Sequence, residues 1–280
     1  MMAVPLSDEQ FLEMLPSGEL RDLWTPPTFS DVEEHRKYLK EHLVLAIRIF
    51  AKYGFDHHIA GHLSVRDPGD LGTFWVNPLG LAFSIMTVSD LILVNRFGAV
   101  IGGGKPGRRT VNLPGFEIHS AIHAARPDVL AICHSHSTYG KAFSTLGKNL
   151  DITTQDACSF YNDVVLHADF GGIAFEASEA NKIAAALGGK KAAILQSHGI
   201  ITVGKSIHSA VAWFIMLEKQ CEVQLLADAA AAGRGGGTVK ISDEVAAAVH
   251  ERAGHEITGY FFASPYFQAI EAEVGESYKA

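Results

Sequence analysis

The stretch "AICHSHSTYG", residues 131–140, decides how the fold is read. An apolar run beginning at Val129 ends in two histidines two positions apart, His134 and His136. Alternate side chains of an extended strand share a face. The segment therefore reads as a buried strand that ends by aiming two imidazoles the same way, as two ligands of one divalent cation must. Spacing alone leaves an ordinary surface pair as the other reading. A third histidine, His198 in "LQSHGI", follows another apolar strand. Gly199 after it permits a tight bend, so that the imidazole projects from the sheet edge.

Outward from these strands, helices and hairpins alternate irregularly. Ser30, with Glu33 three residues on, has the spacing of a capping box ahead of "DVEEHRKYLKEHLVLAIRIFAKYG", a helix closed by Gly54. "HLSVRD" and "TFWVNP" flank a Pro/Gly turn, with Leu63 and Val65 alternating against Ser64 and Arg66. "DLILVN" and "GAVIGG" form a second strand pair, and "GFEIHSAIHAA" a helix ended at Arg126 before Pro127. A short helix near "STYGKAFSTLG" precedes a mixed segment, 151–176. "ASEANKIAAALG" is a helix, "AAILQSHGIITVG" two short strands about His198, and "SIHSAVAWFIMLEKQCEVQLLADAAAA" a long helix. The predicted fold class is α/β: one three-layer α/β/α domain with a mixed, largely antiparallel sheet covered by helices on both faces. Its predicted bounds are 30–232, after an irregular arm at 1–29 with a short helix near "DEQFLEML". A tail at 233–280 follows the break "GRGGG" and packs on the domain or on a neighbouring subunit.

Composition narrows the function. A net charge of −8 with no basic block beyond "GKPGRR" argues against nucleic-acid binding. No long charge-free apolar run predicts a membrane span. Three cysteines without a CxxC, and no secretory signal pattern, predict a reducing, cytoplasmic setting. The chain has 14 histidines. His119 and His123 share a helix face at i, i+4, but HExxH is absent, so they read as packing or hydrogen-bonding residues. His62, beside Gly61 at a strand start, is the candidate proton carrier. Its plainer reading is a strand-edge histidine with a backbone partner.

Four ordered blocks carry a resemblance: "GHLSVRD" at 61–67, "WVNPLG" at 75–80, "IHSAIHAARPDVLAICHSHS" at 118–137 and "ILQSHGIITVGKSIHSAVAWFIMLEKQCEVQLLA" at 194–227. The chain resembles the class II aldolase/adducin superfamily. "FWVNP", "TQDACSFY" and "AVAWFI" are similar to a divergent branch that includes the non-haem iron oxygenases of aminocoumarin biosynthesis. The resemblance implies a catalytic divalent metal on His134, His136 and His198. Zinc is the superfamily's usual ion, with iron or manganese as alternatives. It also implies a small-molecule substrate and a homotetramer with the site between neighbours.

Departures from the family pattern shape the expected chemistry. The family's acidic residue falls at Gly115. Glu117, two residues on, is rotated about 200° around a helix. "LPG" at 113–115 carries none of the family's phosphate-binding hydroxyls, which predicts a substrate that is not a sugar phosphate. Gly61, Asn77, Gly80, Gln155, Asp156 and Tyr161 are the expected substrate-binding residues. Tyr260 and Tyr266, in the aromatic tail "GYFFASPYF", and Glu117 remain open as site residues. The first functional reading is a metal-dependent lyase, acting by retro-aldol cleavage or decarboxylation on a non-phosphorylated oxo or hydroxy acid. The alternatives are a non-haem iron oxygenase of an aromatic 2-keto acid and an adducin-like non-catalytic module.

Overall fold

The computed structural model describes residues 6–15, 18–172 and 177–280. Two short helices, α1 (Asp8–Glu13) and α2 (Glu19–Trp24), lead to α3 (Val32–Lys52). The cap of α3 is Asp31 rather than Ser30: its carboxylate accepts from Glu33 N and Glu34 N, both at 2.9 Å. A charged cap also opposes the positive end of the helix dipole, which a serine one residue earlier cannot do. Strands β1 (His62–Arg66), β2 (Thr73–Val76), β3 (Ile92–Asn95) and β4 (Val100–Gly103) form two hairpins. Then come α4 (Leu113–Ala125), β5 (Ala131–Ser135), α5 (Thr138–Ser144), β6 (Val164–His167), α6 (Ala177–Leu187), β7 (Ala192–Leu195), β8 (Gly199–Gly204) and α7 (Ile207–Ala232).

These strands form one eight-stranded sheet in the order β4-β3-β2-β1-β5-β8-β7-β6. Every neighbouring pair is antiparallel except β6 with β7. β6 lies inside the segment read from sequence only as mixed. Four residues without alternation carry no strand signal of their own, and it is the parallel pairing with β7 that makes them a strand.

The sheet is packed on both faces. Leu63, Val65, Cys133 and Ile194 meet α3 and α7 on one side, while Ile132, Ala193, Leu195 and Ile201 meet α4 and α6 on the other. The alternation of β1 therefore does not mark a solvent face. All five of its residues are buried, and His62, Ser64 and Arg66 point under α4. Beyond α7, α8 (Asp243–Ala253) and α9 (Glu256–Val274) follow, with α9 lying along α7 and α3. The cysteines Cys133, Cys158 and Cys221 are free and buried. Among the described residues no helix is long and apolar enough to cross a membrane.

Candidate metal centre

Two strand ends and one turn bring the three histidines together. β5 ends at Ser135, so His136 lies just past the strand rather than in it. The imidazoles converge nonetheless. Ring centroids lie 5.2 Å apart for His134 and His136, 4.8 Å for His134 and His198, and 4.6 Å for His136 and His198. One nitrogen from each lies within 4.8 Å of the others.

The turn that carries His198 is not built as its sequence implied. Ser197 takes the left-handed conformation, φ +57°, whereas Gly199 has no positive φ. Gly199 is required by close approach: a Cβ there would lie 2.6 Å from the Ser135 carbonyl oxygen. The glycine lets β8 come against the end of β5, and this brings His198 to the other two.

The donor set suits a cation. His134 Nδ1 lies 3.0 Å from the Ile200 carbonyl. A carbonyl only accepts, so Nδ1 carries the proton and Nε2 presents its lone pair. That Nε2 is buried without a hydrogen-bond partner. A bare buried acceptor costs about 1–3 kcal/mol unless something fills it, and an Nδ1–H fixed on a carbonyl is how metal-binding histidines are usually oriented. Burial holds His134 well below the ordinary imidazole pKa and His198 down to about 4; it also lowers His136. Neutral imidazole is the form that ligates.

The turn after His136 is held from α7. Glu218, 4% exposed, accepts from Ser137 Oγ (2.5 Å), Tyr139 N (2.8 Å) and Gly140 N (2.7 Å). Its carboxylate thereby caps α5 from another element and anchors the segment immediately after the ligands. Nothing in the spacing of the sequence pairs Glu218 with residues about eighty positions earlier, and this residue was missed.

His62 is the fourth imidazole. It is the direct cross-strand partner of His134, and opposed residues of an antiparallel pair share a face. The two rings lie 4.7 Å apart. His62 also explains Gly115: a Cβ at that position would come within 2.6 Å of His62 Cδ2. Imidazole fills the space a side chain from α4 would enter, so no carboxylate stands there. Glu117 makes no hydrogen bond to the cluster among the described residues. Gly115→Glu is expected to destabilise the fold by about 1–3 kcal/mol through overpacking, read from urea unfolding. In a His62→Ala background the same change should cost much less, a coupling of about 0.5–3 kcal/mol. Strictly additive penalties would show that the two positions do not share this volume.

The other expected site residues divide. Asn77, 4% exposed, spends its amide on the backbone around His62, accepting from Leu63 N at 2.9 Å and donating to Gly61 O at 3.3 Å. It holds the strand start. Gly61 packs so closely on Phe83 that a Cβ would sit 3.1 Å from the ring, while Gly80, at φ +81°, faces open space. Gln155, Asp156 and Tyr161 are not brought to the triad within the chain. Gln155 and Asp156 are exposed on a 3-10 turn against α7 and α8. Tyr161 leads into the start of β6, at the opposite end of the sheet from His198. Tyr260 packs tilted against His208, ring centroids 4.7 Å apart, and Tyr266 meets Tyr53 edge-on at 5.5 Å; neither has a ring contact with the imidazole cluster. A separate cavity of about 170 Å³ lies at that far end, its charges already paired as Arg126–Asp128 and Lys191–Asp163.

The comparisons with known proteins agree with this fold and site. The chain belongs to the class II aldolase and adducin N-terminal domain family, which it matches over residues 41–225. It is 41% identical over 248 residues to the 4-hydroxy-3-prenylphenylpyruvate oxygenase/4-hydroxy-3-prenylbenzoate synthase of Streptomyces roseochromogenus subsp. oscitans, covering 88% of this chain and 87% of that one. Decarboxylase NovR of Streptomyces niveus is also 41% identical over 248 residues, covering 88% and 89%. Among solved structures, the L-fuculose 1-phosphate aldolase from Glaciozyma antarctica PI12 is 63% identical with a TM-score of 0.87, over 94% of this chain and 100% of that one. The family, the fold class and the aminocoumarin-type branch read from the ordered motifs are those the comparisons return.

Proposed function

We propose that the chain is a divalent-metal-dependent lyase that breaks a carbon–carbon bond of a non-phosphorylated oxo or hydroxy acid, by retro-aldol cleavage or decarboxylation. The observation that carries this reading is the buried, unpartnered Nε2 of His134 beside donor nitrogens of His136 and His198. These three residues would hold the ion, zinc by the family's habit and iron or manganese as alternatives. A bound divalent cation supplies Lewis acidity toward a chelating carbonyl or carboxylate oxygen.

The remaining roles belong to the chain's own groups. His62 stands beside the triad and is the candidate to take or return a proton at a substrate hydroxyl. Asn77 holds it there. Gly80 leaves backbone accessible to substrate, whereas Gly61 is buried against Phe83. Leu113, Pro114 and Gly115 bring no hydroxyl to the start of α4. The Asn112 side chain there is already used, accepting from Gly115 N at 3.3 Å and donating to Ile59 O at 3.2 Å. A phosphate needs several free donors at such a helix start, so this supports a substrate without one. The pocket beside His198, lined in part by His167 and Glu179, holds only about 10 Å³.

The aldolase and decarboxylase names among the relatives support the lyase. The oxygenase/synthase supports a second reading, an iron-dependent oxygenase of an aromatic 2-keto acid. Metal-free protein reconstituted under argon with Zn(II) or Fe(II) separates them. The expected result is anaerobic cleavage of an unphosphorylated oxo or hydroxy acid. Oxygen uptake dependent on a 2-keto acid would replace the lyase with the oxygenase. Faster turnover of L-fuculose 1-phosphate than of any unphosphorylated acid would remove the claim about phosphate.

A further inference from the structure

The connection between β2 and β3 is held in part from the tail. It carries two 3-10 turns, Phe83–Ile85 and Val88–Asp90, and no strand. Phe83 and Met86, 7% and 0% exposed, anchor its inner side. The Phe83 ring packs on Gly61, where a Cβ would lie 3.1 Å from it, and the next residue is His62, the cross-strand partner of His134. Gly80, facing open space, belongs to the same connection.

Arg48 of α3 reaches this connection and the tail at once. Its Nε donates to Met86 O at 2.9 Å and its Nη1 to Ser277 Oγ at 3.3 Å. The Ser277 hydroxyl donates in turn to Val274 O at 2.7 Å, so its oxygen is left to accept from Arg48. Ser89 N adds a second link, donating to Ala280 O at 2.9 Å. The tail is itself seated: Tyr278 is 2% exposed and donates to Glu271 Oε1 at 3.0 Å. The 3-10 turn Gly275–Lys279 thus folds back over α3 onto residues 83–90. It lies outside the stretch matched to the family, 41–225.

Packing does not explain an arginine here. Arg48 is 9% exposed, and residues 43–47, 49 and 50 of the same helix are buried and apolar. Among the described residues no carboxylate pairs with it. A cation is costly to bury unless its donors are met, and an apolar side chain of similar volume fills such a space without that cost. What arginine supplies is a planar fork of donors that reaches two partners in fixed directions. Those partners lie 38 and 229 positions away in the chain.

We propose that Arg48 is a positioning residue for the substrate side of the metal centre, clasping residues 83–90 between α3 and the turn Gly275–Lys279 so that Phe83 stays on Gly61 and Gly80 is held where substrate meets it. The clasp rests on hydrogen bonds and burial alone. The meeting of Gly80 with substrate rests on the lyase reading.

Hydrogen exchange read by mass spectrometry in metal-free, full-length protein tests the clasp. Arg48→Met keeps an apolar stem and removes the donors. Residues 83–90 and 275–280 should then exchange about tenfold faster together, since each loses a hydrogen bond to a charged group. Residues 192–204, in β7 and β8, should not change. Ser277→Ala severs the outer link from an exposed position. It should also speed 83–90, although its hydrogen-bonded link to that segment runs through Arg48. In Zn(II)-loaded protein, calorimetry with phenylpyruvate as a 2-oxo acid probe reads the site. Arg48→Met should weaken probe binding about tenfold, the scale of a displaced contact, with zinc affinity unchanged. A merely structural arginine would speed exchange throughout and leave the probe's affinity alone. Exchange at 83–90 unmoved in both variants, or a probe bound as tightly as by wild type, overturns the proposal. If Arg48→Met does not fold, Ser277→Ala decides on the same two readouts. Wild type that binds zinc but no 2-oxo acid would sink the lyase reading and the role of Gly80 with it, and exchange alone then decides the clasp.

Discussion

His134→Ala is expected to abolish metal retention and to lower turnover by more than about 100-fold, the upper end of what losing a residue that merely orients a ligand costs. Of the three imidazoles, His134 is the one buried completely and fixed through Nδ1 on the Ile200 carbonyl. Its Nε2 is already stripped of water and lacks a protein partner, so the cost of preparing that ligand is met by folding. Metal-free wild type and variant should therefore differ little in stability, since alanine also removes an unsatisfied acceptor. The difference appears when metal is added. An ion at about 100 times its Kd raises wild-type stability by about 2.7 kcal/mol, and His134→Ala should show no such rise. The checks are metal content after gel filtration and thermal midpoints with and without Zn(II). A variant that keeps both its ion and its metal-induced rise would move the centre elsewhere.

Acid should unfold the metal-free protein unusually early, with a midpoint above about pH 5. Four histidines outside the triad, besides His62, are enclosed as neutral rings. His119 and His123 project from α4 onto Ser64 of the sheet, and His42 on α3 meets His208 on α7 at 3.1 Å. Burial comes first among the causes for each: it holds His123 to about 3, His42 to about 4, and His119 and His208 well below 6.5. The sign follows from linkage. A depressed folded pKa means that the unfolded chain binds more protons below 6.5, so stability is whole above that pH and drains as pH falls toward the folded values. One unit below 6.5 each ring costs about 1.4 kcal/mol. Four rings then cost about 5–6 kcal/mol, comparable with the whole stability of many domains at about 5–15 kcal/mol. Carboxylates act later. Asp67 is raised by burial but lowered more by Arg36, Trp75 and Gly69, and stays ionised to about 2. Far-UV circular dichroism against pH tests this, and a fold intact at pH 4 would show that the rings protonate in place.

Strand ends made His134, His136 and His198 candidates, but it was the family resemblance that implied they share one ion; spacing alone left the pair open. Gly115 was legible as a missing acid, but its reason was not, since the ring it accommodates belongs to β1. His119 and His123 read as packing residues because Ser64, which links them, lies 55 and 59 positions away. The backbone bonds of Asn77 to Gly61 and Leu63 were hidden for the same cause, since those partners lie 16 and 14 positions away.

By itself the sequence determined the alternation of strands and helices, the family, and three histidines placed at the ends of strands. Periodicity, turn residues and motif order are properties of neighbours in the chain. Only the tertiary structure decided that His62 opposes His134, that the polar side of β1 is sealed under α4 rather than wetted, and that Glu218 anchors the turn after His136. Those outcomes depend on strand register and on helix placement across the sheet, and a single side chain's burial or partner is set there.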